Sequence, residues 1–253
     1  MDDVIVDFGA SLGAWAFMNN ASWVMLHGLS PLHMTVGDLD GNGRDDVVMD
    51  FLGHGIWGYY NGSSWSAIHG LSSASLAIAD IDGTGGADLI VSFTGLGLWT
   101  FRNNATWVQI HHLNATLMGV GRFDSAAGPE DVLVSFPGHG LYRYDNGSTW
   151  TVVHGLNPRH VAVGDLDFDG RDDLTVDFGS PTGVWTLRNG TTWTGLHSLS
   201  TNSIVMGDLD GNGQDEVVVD FGSPGIWVWV NSASWVQVHA GATVSALAIG
   251  DFN

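Results

Sequence analysis

Three markers recur along the chain at steps of 42 or 43 residues, and this period restricts the possible folds more than any other feature. The first is a dipeptide position held by Gly37-Asp38, Ala79-Asp80, Gly121-Arg122, Gly164-Asp165, Gly207-Asp208 and Gly250-Asp251. The second is an aromatic residue at Trp15, Trp57, Trp99, Tyr142, Trp185 and Trp227. The third is Trp-x-x-x-His, at Trp23/His27, Trp65/His69, Trp107/His111, Trp150/His154, Trp193/His197 and Trp235/His239. Six repeats account for residues 1–253 as a single domain. A period near forty residues, built of short strands and Gly-rich turns, predicts an all-β fold: a six-bladed β-propeller with four-stranded antiparallel blades.

The first complete repeat shows why. His33–Asp38 reads as an innermost strand. Val47–Phe51 is apolar on both faces, as a strand sandwiched between neighbouring layers must be. Ile56–Tyr60 places Trp57 and Tyr59 on one side at period two. Asn61-Gly62 predicts a tight hairpin, because a type I′ turn needs positive φ at both positions. Trp65–His69 is then the outer strand, with Trp65 and His69 expected on a common face against Ile68. At the chain ends, Asp251-Phe252-Asn253 begins a loop that Met1-Asp2-Asp3-Val4 finishes, so the array is expected to close between the termini.

Between the first two strands of this repeat lies Asp38-Leu39-Asp40-Gly41-Asn42-Gly43-Arg44-Asp45-Asp46. Oxygen side chains fall at its first, third, fifth and ninth positions, and the seventh residue, Arg44, offers its carbonyl. A hard cation such as Ca2+ takes six to eight oxygens in this kind of flexible cage. Two further loops carry the full set: Asp165, Asp167, Asp169, Arg171 and Asp173; and Asp208, Asp210, Asn212, Gln214 and Glu216. A fourth set, Asp80, Asp82, Thr84 and Asp88, is weaker, since Thr84 brings a neutral hydroxyl. The third loop starts with Arg122, has Ala126 at its fifth position and carries an inserted residue before Asp131. Arg122 is expected to put a fixed cation where the metal would sit, leaving that loop empty. The sixth loop is the one split across the termini.

Charge follows from these loops. Acids outnumber bases 27 to 7, and 22 of the 27 acids lie in or beside the six loop regions. The excess therefore points to cations. All seven bases are Arg, with no basic stripe to neutralise phosphates, which disfavours nucleic acid. Cys is absent, so no disulfide framework exists, and no apolar run reaches membrane-spanning length. A metal-stapled chain without disulfides suits a secreted or cell-surface setting.

The pattern Asp38-x-Asp40-x-Asn42-Gly43-x-x-Asp46-Val47, followed by Asp50-Phe51 or by Phe178-Gly179 and Phe221-Gly222, resembles the FG-GAP/VCBS repeat. The resemblance covers all six repeats. It implies a propeller binding Ca2+ in the loop that joins the first two strands of a blade, although seven blades are commoner in that family. Relatives of this kind include propeller lectins, adhesion modules and accessory domains of polysaccharide-degrading enzymes.

Function is then expected in the aromatic strands. The six Trp-x-x-x-His pairs are candidate carbohydrate contacts, because sugars stack apolar C–H faces on Trp while polar neighbours take hydroxyls, and repeated sites add avidity. The alternative is that these rings cover inter-blade seams in a non-catalytic protein-interaction or structural propeller. A calcium-dependent polysaccharide lyase is a third reading, with His33 and His160 as its test positions. Those two, with His54, His139, Tyr60, Arg102, Arg143 and Arg188, break the repeat symmetry. No triad or phosphate loop accompanies them, so no catalytic residue is assigned. Asp7, Asp50, Asp177 and Asp220, with Ser92 and Ser135 at the equivalent positions, are expected to make structural hydrogen bonds to a neighbouring strand or blade.

Overall fold

The computed structural model describes residues 3–19, 21–241, 247 and 249. Among them every regular element is a strand and none is a helix. The chain divides into two compact units. One runs to Ile78 and includes Thr84–Asn114; the other comprises Ala79–Gly83 and the chain from Ala115 onward.

The first unit contains a three-stranded sheet, β1 (Val4–Asp7), β2 (Ala14–Met18) and β3 (Ser22–His27). A four-stranded sheet follows: β4 (His33–Gly37), β5 (Asp46–Phe51), β6 (Gly55–Tyr60) and β7 (Ser64–His69). The next sheet is β8 (Ser75–Ala79), β9 (Asp88–Phe93), β10 (Gly97–Arg102) and β11 (Thr106–His111). The second unit holds β12 (Leu117–Gly121) to β15 (Thr149–His154) around β13 (Asp131–Phe136) and β14 (Gly140–Asp145). Its other sheets are β16 (His160–Gly164), β17 (Asp173–Asp177), β18 (Val184–Arg188), β19 (Thr192–His197), and β20 (Ser203–Gly207), β21 (Glu216–Asp220), β22 (Ile226–Val230), β23 (Ser234–His239). Strands neighbour one another in chain order, as hairpin connections dictate. The strand expected to complete the first sheet precedes Gly250 and, apart from Leu247 and Ile249, lies outside the described residues.

Local chemistry accounts for this pattern. Asn61 (φ 54°) and Gly62 (φ 61°) take the positive dihedrals the β6–β7 turn requires. The second strands β5, β9 and β13 are buried along their whole length, so they carry apolar side chains on both faces. Leu39, Val48, Ile56, Leu89, Val91 and Phe93 pack into one core between adjacent sheets of the first unit. Leu166, Val184, Ile204, Val217 and Val219 do so in the second. Full burial of one such side chain stabilises by about 1.5–3 kcal/mol, so sheets are held face to face mainly through their second strands.

One feature of the ladder was absent from the sequence expectation. Each outer pair shifts register at the same place: Ile56 pairs with His69 but Trp57 with Ala67, leaving Ile68 as an extra residue. The same bulge occurs in all six sheets. A bulge re-aims the side chains beyond it. Trp65 and His69 therefore do not share one face, as their spacing alone suggests; they turn toward opposite neighbours.

Candidate functional site: metal loops and aromatic seams

The loops between first and second strands gather carboxylates. Asp38, Asp40 and Asp46 each offer an oxygen, all within 4.8 Å of one another, and so do Asp165, Asp167 and Asp173, and Asp208, Asp210 and Glu216. The second loop residue is pulled into the core at Leu39 and Leu166 (each 1% exposed), which fixes the loop base. Asp38 accepts the N–H groups of Asn42 (3.0 Å) and Gly43 (2.6 Å), curling the loop back over its first residue. The final carboxylate is buried: Asp46 accepts from Leu39 and Asn61, and Asp173 from Leu166 and Asn189. Burial pushes Asp46 above the ordinary carboxylate range and Asp173 up to about 6. These groups lie where a cation would relieve them.

A turn residue bolts each loop to the outer hairpin. The Asn61 N–H donates to Asp46 (2.9 Å) and its Nδ2 to Asp40 (2.9 Å). Asn189 does the same to Asp173 and Asp167, and Asn231 to Glu216 and Asp210. Turn geometry and loop chemistry thus use one Asn.

The remaining loop candidates sit differently. Asp80 and Asp82 belong to one unit, Thr84 and Asp88 to the other; Thr84 donates its hydroxyl to Asn103 (2.6 Å). In the third loop Arg122 turns away to Gly128 and Glu130, at 3.3 and 3.2 Å. The guanidinium facing Asp131 is instead that of Arg143 on β14, 3.9 Å away, ion-paired with Asp145 and lying 5.6 Å over the Phe123 ring. Burial pushes Asp131 up to about 6. The Arg171 side chain bonds Asp169, holding that exposed carboxyl low. Of the split loop, Asp2 and Asp251 fall outside the described residues.

The aromatic residues meet across seams. His27 of β3 lies 4.4 Å from Phe51 and 5.4 Å from Trp65, centroid to centroid. His69 meets Phe93 and Trp107, His154 meets Phe178 and Trp193, and His197 meets Phe221 and Trp235 in the same way. At these four seams the His joins the Trp of the following repeat, a consequence of the bulge. Trp23 packs on Phe8 and Phe17, Trp150 on Phe136 and Tyr144, and His111 stacks on His112; His239 is exposed. Nδ1 of His27, His69, His111, His154 and His197 accepts the N–H two residues on, at 3.1 Å each. An accepting Nδ1 places the ring proton on Nε2.

At one seam His197, Leu199, Phe221, Pro224, Trp227 and Trp235 line a cleft of about 180 Å3. Its walls are almost wholly apolar, and the Trp227 indole N–H is already bonded to the Pro224 carbonyl (3.0 Å). Nearer the hairpin turns, wider clefts occur: one of about 340 Å3 and mixed lining beside Arg143, Thr151, Asn189 and Trp193, and a more polar one of about 360 Å3 beside Tyr60, Ser66 and Asn104.

His33 and His160 join two matching polar clusters. Asp50 accepts both the N–H and the hydroxyl of Ser73, and His33 Nδ1 lies 3.2 Å from that hydroxyl. Asp177, Thr201 and His160 repeat the arrangement. Ser73 is 7% exposed and Thr201 2%, and each hydroxyl is committed to its Asp, so neither serves as an open nucleophile. Asp7 bonds Ser30, Asp220 bonds Asn202, and Asn114 and Asn157 donate to Ser92 and Ser135. The mid-strand residues thus tie each sheet to an adjoining linker.

No family model matches the chain, and no curated protein does. Solved structures match over nearly its whole length. A lectin of Agrocybe aegerita, described as recognising non-reducing terminal N-acetylglucosamine, is 17% identical, with 94% of this chain and 75% of that one covered, at TM-score 0.67. The BP39L lectin of Burkholderia pseudomallei is 13% identical, covering 96% and 81%, at 0.65. BBS1N in complex with ARL6DN is 14% identical, covering 90% and 72%, at 0.61. The fold is a β-propeller. Each four-stranded sheet is a blade, and the aromatic seams are the joins between blades.

Two propeller features had weak sequence signals. Arg143 occupies a third-strand position held in other blades by Gly58, Thr100, Thr186 and Val228, so its oddity was visible but its target, Asp131, was not. The bulge has no local signal beyond its repetition.

Proposed function

We propose that the protein is a multivalent carbohydrate-binding propeller whose blades are stabilised by Ca2+. The observation that carries this reading is the aromatic cleft of His197, Phe221, Trp227 and Trp235, together with the same His–Phe–Trp cluster at three other seams. A cleft of this size with apolar walls suits the C–H face of a pyranose or an acetamido methyl group, with Nε2 of His197 as a polar partner. Terminal N-acetylglucosamine, the ligand of the Agrocybe aegerita lectin, has both features. Binding at the similar ring clusters of several seams would give avidity for a repeated glycan.

The metal reading rests on donor chemistry. Hard oxygens converge in three loops, and Asp167 Oδ1 is buried with no hydrogen-bond partner. Asp38, Asp40, Asn42 and Asp46 would hold one ion, with the Arg44 carbonyl; Asp165, Asp167, Asp169 and Asp173 a second; Asp208, Asp210, Asn212 and Glu216 a third. Bound Ca2+ would neutralise these carboxylates and lock each loop to the hairpin turn that carries Asn61, Asn189 or Asn231. Sites of modest affinity fill at extracellular calcium levels, and we place the protein there, closed between its termini and similar to FG-GAP/VCBS propellers.

A glycan array run in millimolar Ca2+ and again in EDTA tests the proposal. Binding of a defined terminal sugar, weakened in EDTA, is expected. A folded protein that retains no glycan would overturn the lectin reading in favour of a protein-binding propeller, the use exemplified by BBS1N with ARL6DN.

A further inference from the structure

In four places the residue before the final carboxylate of one loop reaches back to the first residue of the preceding loop. The N–H groups of Ala87, Glu130, Asp172 and Asp215 donate to the carbonyls of Asp38, Asp80, Arg122 and Asp165, at 2.6 to 2.9 Å. Where that residue is acidic, its side chain returns the bond. Glu130, Asp172 and Asp215 accept the N–H groups of Asp80, Arg122 and Asp165 at 3.0, 2.6 and 2.8 Å. The result is a two-bond clasp from one loop onto the start of another.

The clasp also crowds two glycines of the repeated dipeptide, whereas Gly37 and Gly207 are crowded by Ile78 and Ile249, and Gly121 meets Val163 Cγ1 first, at 2.5 Å. A Cβ on Gly164 would stand 2.2 Å from Asp215 Oδ2, and one on Gly121 would stand 2.9 Å from Asp172 Oδ2. Ala79 breaks the glycine rule, and there the clasping residue is Glu130, one methylene longer.

Asp215 has a special position. It lies between Gln214 and Glu216, both oxygen donors of the 208–216 loop, and it clamps Asp165, the first donor of the 165–173 loop. We infer that Asp215 is a positioning residue that couples these two cation sites. With the 208–216 loop filled, its last turn is fixed, Asp215 is fixed with it, and Asp165 is held ready for an ion of its own. The coupling is reciprocal by linkage. This rests on the metal reading above.

Hydrogen exchange of the full chain, followed over residues 165–173 as Ca2+ is titrated, reads that site alone. Asp208→Asn with Asp210→Asn disables the neighbouring loop, and is expected to raise the Ca2+ midpoint of the 165–173 segment by about 5-fold or more. In an Asp215→Ala background the same pair of substitutions should produce no further shift. Gly164→Ala should uncouple the loops, and adding Asp215→Glu, after the Ala79/Glu130 arrangement, should restore coupling. An unmoved midpoint in Asp208→Asn/Asp210→Asn overturns the coupling and leaves the metal reading intact. No Ca2+-dependent protection in the native chain overturns both.

Discussion

Replacing Asp177 with Ala should remove more stability than its modest size suggests. The side chain is fully buried and accepts four bonds: from Gly179 N–H (2.7 Å), Ser200 hydroxyl (2.8 Å), and Thr201 N–H (2.8 Å) and hydroxyl (3.1 Å). Burial pushes its pKa up, but these donors outweigh that and hold the carboxyl below the ordinary range. In Asp177→Ala the two hydroxyls can turn elsewhere, while the two backbone N–H groups lose their acceptor. At about 1–3 kcal/mol for each stranded donor, the loss is about 3 kcal/mol, or ~6–12 °C in Tm for a chain of this size. Because the folded pKa is depressed, the contribution is complete above the unfolded value of 3.8 and is lost as pH falls through the lower folded value. The Tm gap between native protein and variant should therefore close in acid. Nature's other solution supplies the rescue. At the equivalent place, Ser135 accepts from Asn157 (2.8 Å), and Pro158 removes the donor that Thr201 carries. Asp177→Ser with Ser200→Asn and Thr201→Pro should recover most of what Asp177→Ser alone loses. A melting temperature for Asp177→Ala within about 2 °C of native, or a triple variant no better than the single one, would refute the reasoning.

Chelation should lower the melting temperature, since a site held at a hundred times its Kd contributes about 2.7 kcal/mol; equal melting in EDTA and in millimolar Ca2+ refutes the cation assignment. Asp173 gives the pH dependence: burial raises it to about 6, so the metal-free fold binds the extra proton and loses stability as pH rises from 3.8 through 6. Ca2+ affinity should rise over that same interval, so melting curves at pH 4.5 and 7, with and without Ca2+, should cross in rank. Trp227→Ala should abolish glycan binding at its cleft and lower the number of sites by one in calorimetry, while the chain still melts cooperatively, because the ring is only half-buried. Retention of every site would move the ligand away from the seams.

Much of the blade plan was legible because its determinants are local. Asn-Gly turns, period-two strands and alternating loop oxygens are each encoded within a dozen residues, and the structure places strands and turns where those signals lie. The chemistry of the seams is encoded between repeats, where one-repeat reasoning fails. The spacing of Trp65 and His69 suggested one shared face, but the bulge at Ile56/Trp57 sends each ring to a different neighbour. Arg122 looked like the cation of the third loop, yet Arg143 on another strand faces Asp131. The way through such ambiguity is to ask which departures from the repeat are compensated elsewhere. Ala79 stands with Glu130, 51 residues on, as Gly164 does with Asp215, and both acids accept the N–H that follows in the dipeptide. The His–Phe–Trp clusters vary little from seam to seam, and at one seam they frame a cleft. The residue whose carbonyl caps the third-strand Trp does vary: Leu12, His54, Leu96, Thr182 and Pro224. These side chains share a backbone role and differ in chemistry without an answering change in the partner ring. Differences in glycan preference between seams should therefore follow this rim position, and exchanging His54 and Pro224 should transfer preference while leaving the ring clusters in place.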